Sequence, residues 1–188
     1  EVIFGSEDRL AGVIGGLAGT GNRVAVITTC VPAILGEDMK EMLASHDVLL
    51  VDSPGFLGDA ESGYERALAL LDPRVDPETP GVNIDGACLL DPFARGNVQE
   101  IRRLLALASV PAGTVFCDDR YGKVTHAAAF TIGTNGDYAS GVGEFLGGTL
   151  GLSGLKTTFS LIGDRLPEAD VGPVLDEIAE QDERLVYS

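Results

Sequence analysis

Apolar positions along this chain alternate between short continuous runs and stretches of helical spacing. Val24-Ala-Val-Ile-Thr28 and Val48-Leu-Leu-Val-Asp52 are runs of β-branched and aliphatic residues, the mark of strands covered on both faces. Val82-Asn-Ile-Asp85, Thr114-Val-Phe-Cys117 and the segment 127–132 are further strand candidates. Residues 2–4 predict a short first strand and residues 157–162, Thr-Thr-Phe-Ser-Leu-Ile, a last one. Between the runs lie helical patterns. Leu10, Val13, Ile14 and Leu17 follow an acid-rich start at Ser6-Glu7-Asp8, where Ser6 is the expected cap, and Gly19 and Gly21 stop them. Ile34, Met39 and Leu43 predict one helix opening at Pro32, since proline suits a first helical turn. Further helices are expected over 61–71, along Val98, Ile101, Leu104, Leu105 and Leu107, near 138–150, and over 173–182.

Strand and helix alternate throughout, so the expected fold is α/β: a Rossmann-like open parallel sheet with helices on both faces. Residues 72–80 hold three prolines among several acids and read as a hinge. They divide the chain into two small α/β units, 1–76 and 77–188. The first carries both the Cys30 strand end and the Ser53-Pro-Gly-Phe-Leu-Gly58 loop.

Composition narrows the function classes. The 188 residues are 45% hydrophobic and 22% charged, which is globular and not disordered. A formal net charge of -16 repels phosphates and argues against a nucleic-acid partner. No apolar run reaches the length of a membrane span, and no basic segment followed by an apolar one opens the chain, so no membrane partner and a cytoplasmic location are expected. Three cysteines, an odd number spread along the chain, fit reduced thiols or cluster ligands better than a disulfide framework. The chain opens at Glu1 and passes at once into Val-Ile-Phe, which raises the expectation that it belongs to something longer.

One thiol stands out. Cys30 follows a buried strand, at the edge where open α/β sheets bind their ligands, and the amides of the next helix would favour its thiolate. The alternative is a buried structural cysteine, a frequent fate of free thiols. The Ser53–Gly58 loop also follows a buried strand, which places it on the same sheet edge. Other motifs fail on spacing. Gly141-Val-Gly143 does not continue into G-x-G-x-x-G, and Gly15 to Gly21 lacks the Gly-Lys-Ser/Thr ending of a phosphate loop. Cys88 and Cys117 form no C-x-x-C pair. His46 reads as a partner for a helix C-terminus and His126 as a strand residue, and nothing marks an activated serine.

The ordered set Thr28-Thr-Cys-Val-Pro-Ala-Ile-Leu-Gly-Glu-Asp38, Val51-Asp-Ser-Pro-Gly-Phe-Leu-Gly58 and Gly63 resembles the nitrogenase component 1 family. Phe4-Gly5 ahead of the first helix, Gly81-Val-Asn-Ile, and Asn97-Val-Gln-Glu-Ile-Arg-Arg-Leu-Leu105 extend the likeness to about residue 120. That family includes the molybdenum-iron protein, its cofactor-assembly scaffold, protochlorophyllide reductase and the nickel-sirohydrochlorin reductive cyclase. The resemblance implies that Cys30 is a metal ligand holding an iron–sulfur cluster at a subunit interface, and that Cys30, Pro54, Gly55 and Phe56 form the cofactor-binding site. It implies as partners a homologous or paralogous subunit and an ATP-dependent iron–sulfur reductase. The implied activity is reductase-dependent reduction of a tetrapyrrole or small molecule, or metal-cofactor assembly. The family's other cluster cysteines precede the Phe-Gly segment, and Cys88 and Cys117 do not match them, so no cluster is expected on the isolated chain. The rival reading is a non-enzymatic α/β scaffold or binding module.

Overall fold

The computed structural model describes residues 7–21, 23–148 and 151–186. The strand expected at residues 2–4 and the cap expected at Ser6 lie outside them. The chain forms two compact units, Glu1–Leu70 and Leu71–Ser188.

In the first unit, α1 (Glu7–Ala18), β1 (Val24–Thr28), α2 (Cys30–Leu35), α3 (Met39–Leu43), β2 (Val48–Asp52) and α4 (Ala60–Leu71) follow one another. Strands β1 and β2 pair in parallel, from Val24 opposite Val48 to Thr28 opposite Asp52. Ile14, Met39 and Leu43 form the buried centre, with Leu10, Val26, Met42, Val48 and Leu50 packed around it. The single helix expected from Pro32 is two helices, and the first opens at Cys30. Gly36, at φ +73°, turns the chain out of α2, and Asp38 restarts it by accepting the Lys40 and Glu41 N–H groups at 3.0 Å each.

The second unit holds β3 (Val82–Asp85), α5 (Ala94–Leu107), β4 (Ala112–Val115), α6 (Tyr121–Val124), β5 (Phe130–Gly133), a single 3-10 turn (Gly136–Tyr138), β6 (Glu144–Gly148), α7 (Gly151–Arg165) and α8 (Gly172–Val186). The strands form a parallel sheet in the order β4-β3-β5-β6. Every residue of β3 is buried. Helix α5 contributes Val98, Ile101, Leu104 and Leu105 to the core, α7 Phe159 and Ile162, and α8 Val174 and Ile178. The expected architecture is present as parallel sheets flanked by helices. Among the described residues, no helix is long and apolar enough to cross a membrane.

Asn83 ties this sheet together. It is fully buried, and its amide makes four hydrogen bonds. The Nδ2 group donates to Ala128 O at 2.8 Å and Thr131 Oγ1 at 3.0 Å, while Oδ1 accepts from Thr114 N at 3.1 Å and Ala128 N at 2.8 Å. One side chain thus joins β3 to β4 and to the segment entering β5.

Three sequence expectations change here. Residues 157–162 are helical, within α7, and their hydroxyls bond back along the helix. Thr157 Oγ1 donates to Ser153 O, Thr158 Oγ1 to Gly154 O and Ser160 Oγ to Lys156 O, at 2.9–3.0 Å. Thr158, Phe159 and Ile162 then bury one face. The helix expected near 138–150 is, over its described residues 138–148, instead a turn followed by β6, which pairs in parallel with β5, and 149–150 lie outside the described residues. Gly143 there lies so close to Thr131 that an added Cβ would meet its Oγ1 at 2.7 Å. His126 sits in the turn after α6 and not in a strand, with Nδ1 3.1 Å from both Gly122 O and Thr125 Oγ1.

Candidate functional site

The Cys30 site is built from two strand ends. Buried Thr28 closes β1, where its hydroxyl donates to Asp52 Oδ1 at 2.6 Å and accepts from Ser53 N at 3.3 Å. This clasp holds the carboxyl ends of β1 and β2 level, so the segments leaving them start side by side. Cys30 then opens α2, and the loop after β2 comes back to it: Gly55 N–H donates to Cys30 Sγ at 3.2 Å. The loop is fastened from α4, where Arg66 donates to Asp52 O at 3.3 Å and Leu57 O at 3.5 Å. Asp59 accepts from Ser62 N at 2.9 Å and Ser62 Oγ at 2.8 Å. These bonds, the backbone one first, hold its carboxyl below the usual value of 3.8.

Of the four residues singled out in the sequence, Cys30 and Gly55 are brought into contact. Pro54 is buried beside them, and Phe56 is 58% exposed. Cys30 is half-buried, not enclosed in the core. An amide N–H aimed at a sulfur tunes a metal bound to it. The site therefore offers one sulfur ligand. Among the described residues, no group of three or more His, Cys, Asp or Glu side chains is placed to hold a metal ion.

A second site lies in the other unit and was not singled out in the sequence. From β3 the chain passes to β4 on one side of it, then crosses to β5 on the other. The carboxyl ends of β3 and β5 therefore flank the point where the connections diverge, the place where open α/β sheets form a binding crevice. A cleft of about 500 Å³ opens there, between Asp85, Thr134, Asn135 and Phe145 and the first turns of α7. Asp85 is 2% exposed. Its Oδ1 accepts from Gly86 N at 2.8 Å, and its Oδ2 from Ser140 N and Ser140 Oγ at 2.6 Å each. Thr134 N and Oγ1 both donate to Asp85 O, at 2.7 and 2.9 Å. The available signal was an acid closing an otherwise buried run, directly before a glycine. Its partner Ser140 carried none.

Burial pushes the Asp85 carboxyl above the usual value of 3.8, against the opposing pull of the Ser140 and Gly86 bonds. An acid whose folded-state value is raised stabilises the fold when protonated. Its contribution is complete below its unfolded value and is lost as pH rises through the folded one. The stability advantage of the native chain over Asp85→Asn should accordingly shrink as pH rises from below 4 towards neutral. Urea unfolding of the two proteins across that range checks the sign, and an advantage that grows with pH would contradict it.

With these geometries in view, the relationship to known proteins is direct. Residues 1–161 match the Nitrogenase component 1 type Oxidoreductase family, and the chain belongs to it. It is 29% identical over 118 residues to the nitrogenase molybdenum-iron protein beta chain of Bradyrhizobium diazoefficiens, a match covering 51% of this chain and 22% of that relative. It is 29% identical over 101 residues to the nitrogenase iron-molybdenum cofactor biosynthesis protein NifE of Clostridium pasteurianum, covering 50% of this chain and again 22% of the relative. The solved structure "Nitrogenase Cp1 at pH 5" superposes on 98% of this chain and 42% of its own, with a TM-score of 0.73 at 17% identity, a likeness of fold.

Proposed function

We propose that this chain is the α/β portion of a component 1-type subunit in which Cys30 supplies one thiolate to an iron–sulfur cluster. The remaining ligands come from elsewhere in the complex, and electrons arrive from an ATP-dependent iron–sulfur reductase. The observation that carries the reading is the Gly55 N–H to Cys30 Sγ contact at a half-buried strand end, an arrangement suited to a metal thiolate. When bound, the cluster supplies single-electron transfer. The protein's part is to hold the sulfur, through the Thr28–Asp52 clasp and the Arg66-fastened loop, and to keep a homologous or paralogous subunit seated beside it. Exposed Val31, Phe56 and Leu57 on the segments flanking the thiol support such a seat. Likeness to a nitrogenase molybdenum-iron protein chain supports reduction of a small molecule, and likeness to NifE supports metal-cofactor assembly.

The test pairs stability with cluster content. Cys30→Ala should change the unfolding free energy of this chain by on the order of 1 kcal/mol or less, since the half-buried sulfur is a small part of the packing. In the complete complex the same change should abolish reductase-dependent turnover and lower bound iron and acid-labile sulfide. A large loss of stability with unchanged turnover would instead support a structural cysteine in a scaffold module.

A further inference from the structure

A smaller cleft of about 130 Å³ opens between α5 and the segments that leave β3 and β4. We propose that it binds the phosphoryl group of a small phosphate ester. Arg95, Gln99 and Arg102 of α5 supply the donors, and Leu89 and Val98 cover the first carbons of the ester. The inference goes beyond the function proposed above and rests neither on Cys30 nor on a cluster.

The first observation is a row of donors whose hydrogen-bonding capacity is unspent. Positions 95, 99 and 102 are spaced four and then three apart, so their side chains share one face of α5, and all three line the cleft. Among the described residues, the Arg95 guanidinium and the Gln99 amide have no hydrogen-bond or ion-pair partner. Arg102 has Asp118 Oδ2 at 3.6 Å and Asp119 Oδ1 at 4.0 Å, both beyond hydrogen-bond length. A shortage of acids is not the reason, since the chain holds 29 of them against 13 lysines and arginines. Arg103, the next residue but outside the cleft, is fully paired. It donates to both oxygens of Glu100, at 2.9 and 2.7 Å, and to Glu177 at 3.1 Å. Asp119 is occupied elsewhere, accepting from Val115 N at 2.8 Å with Lys123 Nζ 3.5 Å away.

The second observation is what these donors surround. Ala87, Ala94 and Val98 are each at most 6% exposed and give the cleft an apolar lining, while Leu89 stands 70% exposed beside them. A charged group held over such a lining is poorly hydrated, and charge-assisted bonds to it strengthen. The donors are spread along α5 from 95 to 102, about 10 Å at 1.5 Å per residue. A planar carboxylate offers two oxygens and is satisfied by one guanidinium fork. A phosphoryl group presents three oxygens and close to two charges near neutral pH. Three donor groups reaching one cleft from different points therefore match the tetrahedral anion better. The volume admits the phosphoryl group and only a few carbons, to which Leu89 gives apolar contact. Asp118 is the single carboxylate in the lining, and it competes with the ligand for Arg102. The net charge of -16 does not forbid one phosphoryl group, because charges more than about 8 Å away are largely screened at physiological salt.

The experiment titrates the 188-residue chain, at fixed ionic strength, with n-butyl phosphate, inorganic phosphate and n-pentanoate, following backbone amide shifts by NMR. The expected result is saturable binding of n-butyl phosphate, with shifts centred on residues 87–89, 94–102 and 117–118. The carboxylate should bind about tenfold more weakly, since it offers fewer oxygens and less charge. Inorganic phosphate should bind several-fold more weakly than the ester, because it leaves Leu89 and Val98 uncovered. Arg95→Ala should weaken the ester about tenfold, and Arg95→Lys, which keeps the charge but loses the fork, should fall between. Asp118→Asn should tighten binding by freeing Arg102, and Arg103→Gln should leave it unchanged. An absence of saturable binding, or an unchanged affinity in both Arg95 variants, would overturn the inference. So would equal binding of the ester and either other probe, or weaker binding in Asp118→Asn. A loss in Arg103→Gln as large as that in Arg95→Ala would also overturn it, as the mark of non-specific attraction to surface cations.

Discussion

Asn83→Ala is expected to cost the second unit about 3–5 kcal/mol, near the upper end of single-residue effects. The side chain is fully buried and each of its polar atoms makes two bonds, so truncation removes four contacts at once. The larger cost lies in what stays behind. The amide N–H groups of Thr114 and Ala128 lose their acceptor at a buried site, and each unpaired buried donor costs about 1–3 kcal/mol. Asn83→Asp separates these contributions. It keeps the acceptor for both N–H groups but sets a second oxygen against Ala128 O, so it too should destabilise, and more so at higher pH as the buried carboxyl ionises. Urea unfolding measures the loss as a lower midpoint with unchanged slope. Hydrogen exchange locates it, because the Thr114 and Ala128 amides should lose protection before those of β1 and β2. A change below 1 kcal/mol for Asn83→Ala would show that the sheet does not depend on this brace.

The same residue marks how far the sequence could be read. Val82-Asn-Ile-Asp85 is legible as a strand because valine and isoleucine alternate with polar positions. Alternation predicts that Asn83 and Asp85 face water or a partner, but not that both are buried and bonded to residues more than thirty positions away. The elements that were legible are those governed by local rules. Continuous aliphatic runs mark β1 and β2, the 3.6-residue spacing of Val98, Ile101 and Leu105 marks α5, and two strand ends leading into Cys30 and Gly55 place both on one edge. Residues 157–162 mislead for a physical reason. β-branched threonines favour strands on average, yet in α7 their hydroxyls find carbonyls four residues back, and Thr158 is buried against the core. The cleft was invisible because it depends on strand order. Only when β5 lies on the far side of β3 from β4 do Asp85 and Asn135 meet.

Gly86→Ala should be about as damaging as Asn83→Ala, and for a reason confined to that meeting point. Gly86 has φ +79°, a left-handed conformation that costs a residue with a Cβ roughly 1–2 kcal/mol. The added methyl would also lie 2.4 Å from both N and O of Asn135. These are backbone atoms, and they cannot swing away as a side-chain tip can. Asn135 is held on either side: Thr134 is bonded twice to Asp85 O, and Asp137 N donates to Asn135 Oδ1. Relief therefore requires the end of β5 to move off the end of β3, breaking those bonds and widening the cleft, for a total of about 3–5 kcal/mol. Gly141→Ala provides the control. Gly141 is also left-handed, at φ +69°, but has open space where a Cβ would go, so it should show the conformational cost alone. Urea unfolding of both variants gives the comparison, and amide shifts should move at residues 133–136 in Gly86→Ala only. Equal losses in the two variants would mean that the contact with Asn135 yields without cost, and that the cleft is not held in shape by the approach of β3 to the turn after β5.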